Sequence, residues 1–450
     1  MRVGELSTLV NAISAEAVSA AGEDAHALVR TLFPLPRSIT GPGLRSTVNR
    51  LAEWIPLQVT EVPSGTRVFD WTIPDEWTIE DAYLEHESGR RFAEFSQSSL
   101  HLVSYSLPVD EWMTLEQLRP HLHSLPAHPE WIPYRTSYYS PTWGFCLPDR
   151  ELSTLPAGRY RVVIRARLAP GSLTLAECSI AGQTDEEVLV FAHDCHPALA
   201  NDNLSGIAVA VELARFLLQT RPRYTYRFLF APATIGSLAW LATHEPDLGR
   251  IRHGLVLSLL GGPGPLHYKR SRRGDHSVDR AAGAVLGEFP GSRVLEFSPW
   301  GYDERQFCSP GINLPMGRLT RTPNGEFPEY HTSADHPGFL TADALGHSWL
   351  ACLKIFAALE SEARYRNLSP KGEPQLGRRG LYKPMGGHHP GAADQQMALL
   401  WMLNFSDGDH SLLDIALRSG LPVGVLDAAA RDLEQAGLLA RLQEGDSASR

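Results

Sequence analysis

A chain of 450 residues, 43% hydrophobic and 20% charged, has the composition of a folded soluble protein with room for two or three domains of about 100–200 residues, which excludes a disordered tail protein. Its 41 Lys and Arg against 51 Asp and Glu leave a formal net charge of −10. Such a surface repels phosphate backbones and anionic lipid, so neither a nucleic-acid nor a membrane partner is expected.

Met1 to Ala25 carries Glu5, Glu16, Glu23 and Asp24 among its apolar residues, unlike the basic-then-apolar layout of a secretory signal. No run approaches the ~18–20 apolar residues of a membrane span. The cysteines Cys146, Cys178, Cys195, Cys308 and Cys352 are odd in number, with no CxxC pair, which fits reduced thiols and a cytoplasmic location.

Leu6 to Leu32 has helical periodicity and stops at Pro34-Leu35-Pro36; a turn-rich stretch from Ser38 to Gly43 then starts a helix through Leu51 and Trp54. Residues 1–58 read as a helical flank. From 59 to 168, Trp71, Trp77, Tyr83, Tyr105, Trp131, Tyr134, Tyr138, Tyr139, Trp143 and Phe145 sit among short alternating runs broken by Pro and Gly, the pattern of a small inserted β-rich domain.

Residues 169–370 repeat strand, loop and helix, which requires a mostly parallel sheet with covering helices, an α/β domain. Predicted strands are Val188–Ala192, Tyr226–Phe230, Gly254–Leu260, Arg293–Phe297 and Ile312–Leu319. Predicted helices follow Leu204, cover Ser237–His244 and Ala281–Leu286, and end with Ala342–Leu359. A Gly/Pro-rich linker spans 371–390. Residues 391–450 then outline a C-terminal winged helix, with helices Gln395–Leu403, Ser411–Leu417 and Val423–Gln435 and a strand from Gly437. Four arginines against nine acidic residues give this module a charge of −5, which favours protein contact or domain closure over DNA reading.

The densest run of ligand-type residues, His193 to Gly206, directly follows a predicted strand, where α/β sheets place active sites. His193 and Asp202 are suitable zinc donors. His196, before Pro197, reads as a loop or supporting histidine rather than a ligand. Cys195 reads as packing, and Asp194 as a solvated turn carboxylate. A second cluster runs from Glu329 to His336, where Asp335 is close enough in sequence to orient His331 toward a metal. Between them, Asp303 and Glu304 on the Trp300–Phe307 loop suit a substrate ammonium group.

Several features keep two readings. Tyr138, Tyr139 and Trp143 are core of the β domain or an aromatic wall over a cleft. The basic run Lys269–Arg273 is a solvated loop or a clamp for a substrate carboxylate or phosphate. Arg37 reaches the pocket, or merely precedes a helix capped by Thr40. Gly261–Gly264 lacks the Lys-Ser and helix of a nucleotide loop.

His193, Asp202 three residues before Ser205-Gly206, an apolar strand ending at Ala231, and Tyr330-His331-Thr332 with Asp335 resemble the zinc aminopeptidases with two co-catalytic metals. Val68–Trp71, Ile132–Tyr139, Trp143–Cys146, Cys195-His196-Pro197 and Thr234–Ser237 more closely resemble the bacterial aminopeptidase-like proteins of domain of unknown function 4910, over nearly the whole chain. The resemblance implies an α/β exopeptidase domain, an inserted β domain and a C-terminal winged helix. It implies His193 and His331 as terminal metal ligands, Asp202 as the bridging carboxylate, and Tyr302 and Asp303 near the recognised amine; Tyr330, beside His331, is a further candidate for substrate contact.

Two consecutive glutamates of those enzymes, a general base and a ligand, correspond here to Ala233 and Thr234, and Leu257–Leu260 offers no further carboxylate. One zinc ion on His193, Asp202 and His331 is therefore expected rather than two, with Glu304 or Asp194 the remaining candidates for the base. The implied activity is a metal-dependent hydrolase of aminopeptidase type. It would cleave an amide in a small peptide or aminoacyl conjugate, in polysaccharide or secondary-metabolite biosynthesis. The alternative is an inactive, peptidase-like binding protein. A homo-oligomer is left open.

Overall fold

A strand apolar along its whole length needs cover on both faces, and Glu187–His193 is buried at every position. It is the centre of an eight-stranded sheet in the computed structural model, which describes residues 6–381 and 392–442. The strands are β1 (Gln58–Pro63), β2 (Ser172–Ile180), β3 (Glu187–His193), β4 (Thr225–Ala231), β5 (Ile251–Leu257), β6 (His267–Lys269), β7 (Arg293–Leu295) and β8 (Met316–Thr320). Their order is β1-β2-β4-β3-β5-β8-β6-β7. The central four, β4, β3, β5 and β8, are parallel; β1 and β2 on one flank and β6 on the other join antiparallel.

Side chains alternate across β3. Val188, Val190 and Ala192 enter a core shared with helices α1 (Ala15–Leu32), α2 (Gly206–Leu217), α4 (Ser277–Leu286) and α5 (Ala342–Ser361), whereas Leu189 and Phe191 enter a second core with α3 (Ile235–His244) and the inserted domain. The expected single helical stretch from Leu6 is two helices, because Ser14 caps α1 by accepting from Ala17 N at 3.3 Å.

Close approach of α1 and α5 depends on two glycines. A Cβ at Gly22 would lie 2.1 Å from the Ala342 carbonyl oxygen, and one at Gly346 2.4 Å from that of Val18. Gly346→Ala is expected to destabilise the chain by about 1–3 kcal/mol through forced separation of the helices. Urea unfolding would show it as a lower midpoint at unchanged slope; an unaltered midpoint would contradict the tight crossing.

The insertion leaves the large sheet after β1 and returns through Pro170-Gly171 into β2. The boundary read at 59 therefore falls inside β1, which is an edge strand of the large sheet. The insertion's own four-stranded antiparallel sheet has the order Arg91–Phe92, Glu76–His86, Arg159–Ala169 and Val109–Thr114.

The C-terminal module begins earlier than its sequence suggests. Arg364–Asn367 pairs with both Asp407–Ser411 and Leu439–Arg441, so the domain limit read at 370 and the start of the linker read at 371–390 lie within this module; residues 382–391 lie outside the described residues. Arg364–Asn367 buries only Tyr365, which leaves no alternation for a sequence reading to detect. The module's helices are Ala392–Phe405, Leu412–Ser419 and Val423–Gln435. The last of these, which in a DNA-reading winged helix would face the groove, packs instead on Leu6–Asn11 and α5, and Arg431 donates to Ser7 Oγ at 3.2 Å. Among the described residues no helix is long and apolar enough to cross a membrane.

Candidate metal centre

Parallel pairing of β3 with β4 sets His193 opposite Ala231 at the carboxyl ends of both strands. The chain after His193 folds back along that edge before entering α2. Asn203 Nδ2 donates to the Leu257 carbonyl at 2.9 Å, Gly261 N donates to Asn201 Oδ1 at 3.0 Å, and Leu260 N donates to Ser205 Oγ at 2.9 Å. These bonds tie the loop to the end of β5 and leave Asp202, fully buried, facing His193.

Both oxygens of Asp202 meet an imidazole. Oδ1 is 3.0 Å from His193 Nε2, and Oδ2 is 2.8 Å from His331 Nε2. A third imidazole, His196, joins them: ligating atoms of His193, His196 and Asp202 lie within 4.8 Å of one another. His196, read from sequence as a supporting residue, is thus brought among the donors. Arg37 fixes it there by donating from Nε to the His196 carbonyl at 2.9 Å and from Nη1 to the Leu32 carbonyl at 2.5 Å. Arg37 therefore holds the loop instead of lying open to a substrate. Burial lowers its pKa to about 10, against the pull of Asp194.

Burial by itself would raise the pKa of Asp202, yet His196, His193 and His331 outweigh it and hold the carboxyl well below the usual range. Burial also pushes His196 well below its ordinary value, leaving the neutral imidazole that ligates metals. His193 Nδ1 is buried with no hydrogen-bond partner. Three imidazoles around one ionised carboxylate form a donor set suited to zinc. Burial raises the Cys195 thiol far above its usual pKa, and Cys195 is not among the clustered donors.

Asp335 serves a different partner from the one expected. Its Oδ1 accepts from Asn201 N at 2.5 Å and its Oδ2 from Asp202 N at 3.0 Å, so it positions the Asp202 backbone rather than the His331 ring. His331 is instead held by the insertion: its carbonyl accepts from Tyr134 N at 2.8 Å, and its backbone adopts a left-handed φ of 57°. Pro133 bridges to Thr332 beside it. Tyr134, whose ring stands perpendicular to that of His331 with centres 5.2 Å apart and tilted to that of His196 with centres 5.1 Å apart, was not singled out as a site residue. The Ile132–Tyr139 motif was the available signal.

Tyr330 stacks on His331 at 3.9 Å and Tyr302 on His193 at 4.9 Å, with their hydroxyls 3.3 Å apart. Asp303 is buried and accepts from Ser237 Oγ at 2.5 Å, while its Oδ2 has no partner; burial raises it to about 6. Asp194 is also buried, not solvated as expected, and both its oxygens lack partners. Burial raises its pKa to about 7, with His193 and Arg37 opposing. Glu304 is fully buried and ion-paired through Oε1 with Lys269 and, at 3.8 Å, with Arg318, while its Oε2 accepts no hydrogen bond. Ala233, two residues beyond the partner of His193, is half-buried, and its carbonyl lies 3.9 Å from Cys195 Sγ.

A family model described as domain of unknown function 4910 matches residues 26–362, and one described as winged helix-turn-helix matches residues 363–441. A Clostridium acetobutylicum protein, provisionally named for polysaccharide biosynthesis with an aminopeptidase-like domain, is 45% identical over 423 residues, 94% of this chain and 97% of its own. A crystal structure from Clostridium acetobutylicum, titled provisionally as a peptidase, superposes with a TM-score of 0.89 at 43% identity over 95% of this chain and 98% of that one. The zinc aminopeptidase of Bacillus subtilis superposes with a TM-score of 0.56 at 14% identity over 74% of this chain and 94% of its own, a likeness of fold alone.

Proposed function

The chain belongs to the domain of unknown function 4910 family and has an aminopeptidase-like fold related to the zinc aminopeptidases; from that premise we propose that it is a zinc-dependent hydrolase cleaving an amide next to a free amine. The observation that carries the reading is the buried Asp202 carboxylate with an imidazole on each oxygen and a third within reach. His193, His196 and Asp202 would hold one ion, with His331 on the far oxygen of Asp202 as the next donor. Zinc in such a site polarises an amide carbonyl and acidifies water.

The chain's own residues do the rest. Tyr134, Tyr302 and Tyr330 wall the site and restrict water. The partnerless oxygens of Asp194 and Asp303 suit the ammonium group of a substrate. The insertion, joined to the His331 loop through Pro133 and Thr332, narrows the approach and favours a small peptide or aminoacyl conjugate. The name of the Clostridium acetobutylicum relative is in keeping with a conjugate made during polysaccharide biosynthesis.

Elemental analysis of the purified chain is expected to find one equivalent of zinc, and His331→Ala to retain it with about 10–100-fold weaker affinity. Outright loss of zinc in His331→Ala would put His331 among the primary ligands. Absence of metal from the unaltered chain would refute the hydrolase reading. It would favour the second one, a binding protein, which Ala233 supports because its methyl group accepts no proton.

A further inference from the structure

Lys269 and Arg318 oppose each other across the antiparallel pair of β6 and β8, and each is only 3% exposed. The carboxylate between them is that of Glu304. Asp303, its neighbour in sequence, is bound to Ser237, and Glu296 pairs with Arg270. Two buried cations therefore share one ion-paired carboxylate. Buried charge without a counter-charge is costly and normally finds one.

The two cations differ in what they have left to donate. Lys269 Nζ pairs with Glu304 and donates to the carbonyls of Ser298 at 2.9 Å and Trp300 at 2.8 Å, which uses all three of its protons. Arg318 has five N–H donors. Its Nη1 donates to Asn324 Oδ1 at 3.0 Å, and its Nε is buried with no partner. Its guanidinium carbon lies 5.3 Å from the ring centre of Tyr302, the ring that stacks on His193. The incompletely engaged guanidinium is thus one aromatic ring away from His193, which contacts Asp202.

We propose that Arg318, with Lys269 holding the Trp300–Tyr302 loop beside it, forms a subsite for a carboxylate on the substrate. A guanidinium fork complements a carboxylate in two parallel hydrogen bonds, and the incoming charge would balance the second buried cation. The anion subsite stands on these residues alone, whereas the substrate class rests on the hydrolase reading. It narrows the substrate to an amide with an acidic group at its other end, an acidic aminoacyl or peptidyl conjugate. The Lys269–Arg273 run divides accordingly: Lys269 is part of this subsite, while Arg272 bonds Asn313 and Arg273 pairs with Asp275.

The test is calorimetric binding of glutarate and of its neutral counterpart glutaramide to the full chain, with and without zinc. The unaltered chain should bind glutarate about tenfold more tightly or better, and Arg318→Gln should abolish that preference at unchanged zinc content. Arg318→Lys, which keeps the charge and loses the fork, guards against misfolding of the Gln variant and should reduce the preference at least about threefold. No preference in the unaltered chain, or one that persists in both variants, would overturn the subsite. A preference seen without zinc and lost in Arg318→Gln would uphold the subsite even where the metal reading fails.

Discussion

Ala233→Glu is expected to raise amide hydrolysis by the zinc-loaded chain by about 10²–10⁴-fold, the usual contribution of a general base. Ala233 follows β4 at the edge where β3 delivers His193, and it is only half-buried, so it is not sealed inside the core. A methyl group accepts no proton, and Glu304 is engaged by Lys269 and Arg318. A new carboxylate would take the proton that an attacking water must lose. The effect corresponds to about 3–5 kcal/mol of barrier. Ala233→Gln, equal in size and unable to accept the proton, is the control. Release of amine from aminoacyl amides would be followed in all three chains at matched zinc content. Equal rates in the Glu and Gln variants would remove the catalytic argument while leaving metal binding intact.

Asp202→Ala is expected to abolish zinc binding outright. Among the described residues the carboxylate is the only anionic group in the donor cluster, and both His193 and His331 contact it. Because a metal that binds only the folded chain stabilises it by mass action, about 4 kcal/mol at a thousandfold excess over the dissociation constant, zinc should raise the melting temperature of the unaltered chain and leave that of Asp202→Ala where it was. Scanning calorimetry with and without zinc reads this directly. A zinc-induced rise that survives in Asp202→Ala would locate the ion elsewhere.

Much of this site was open to sequence reading because its parts are local. His193 and Asp202 are nine residues apart, at a strand end and a helix start, and the apolar runs of β3, β4 and β5 announce themselves by composition. His331 was reached only through its motif. His196, read as a supporting residue, lies within reach of the other donors, and Arg37, distant in sequence, holds its carbonyl there. Glu304 looked like a free acid until its pairing with Lys269 came from another strand. Asp335 lies near His331 in the chain and yet bonds the backbone of Asn201 and Asp202.

By itself, then, the amino-acid sequence determined the α/β rhythm, the inserted β domain, the acidic winged helix and the types of residue available for chemistry. Hydrophobic periodicity and turn chemistry act over a few residues, so each can be read where it stands. Only the tertiary structure decided which of those residues meet. The partners of His196, His331, Glu304 and Asp202 are set by hydrogen bonds and ion pairs between loops of different elements, and the course of a loop depends on packing that no local pattern encodes.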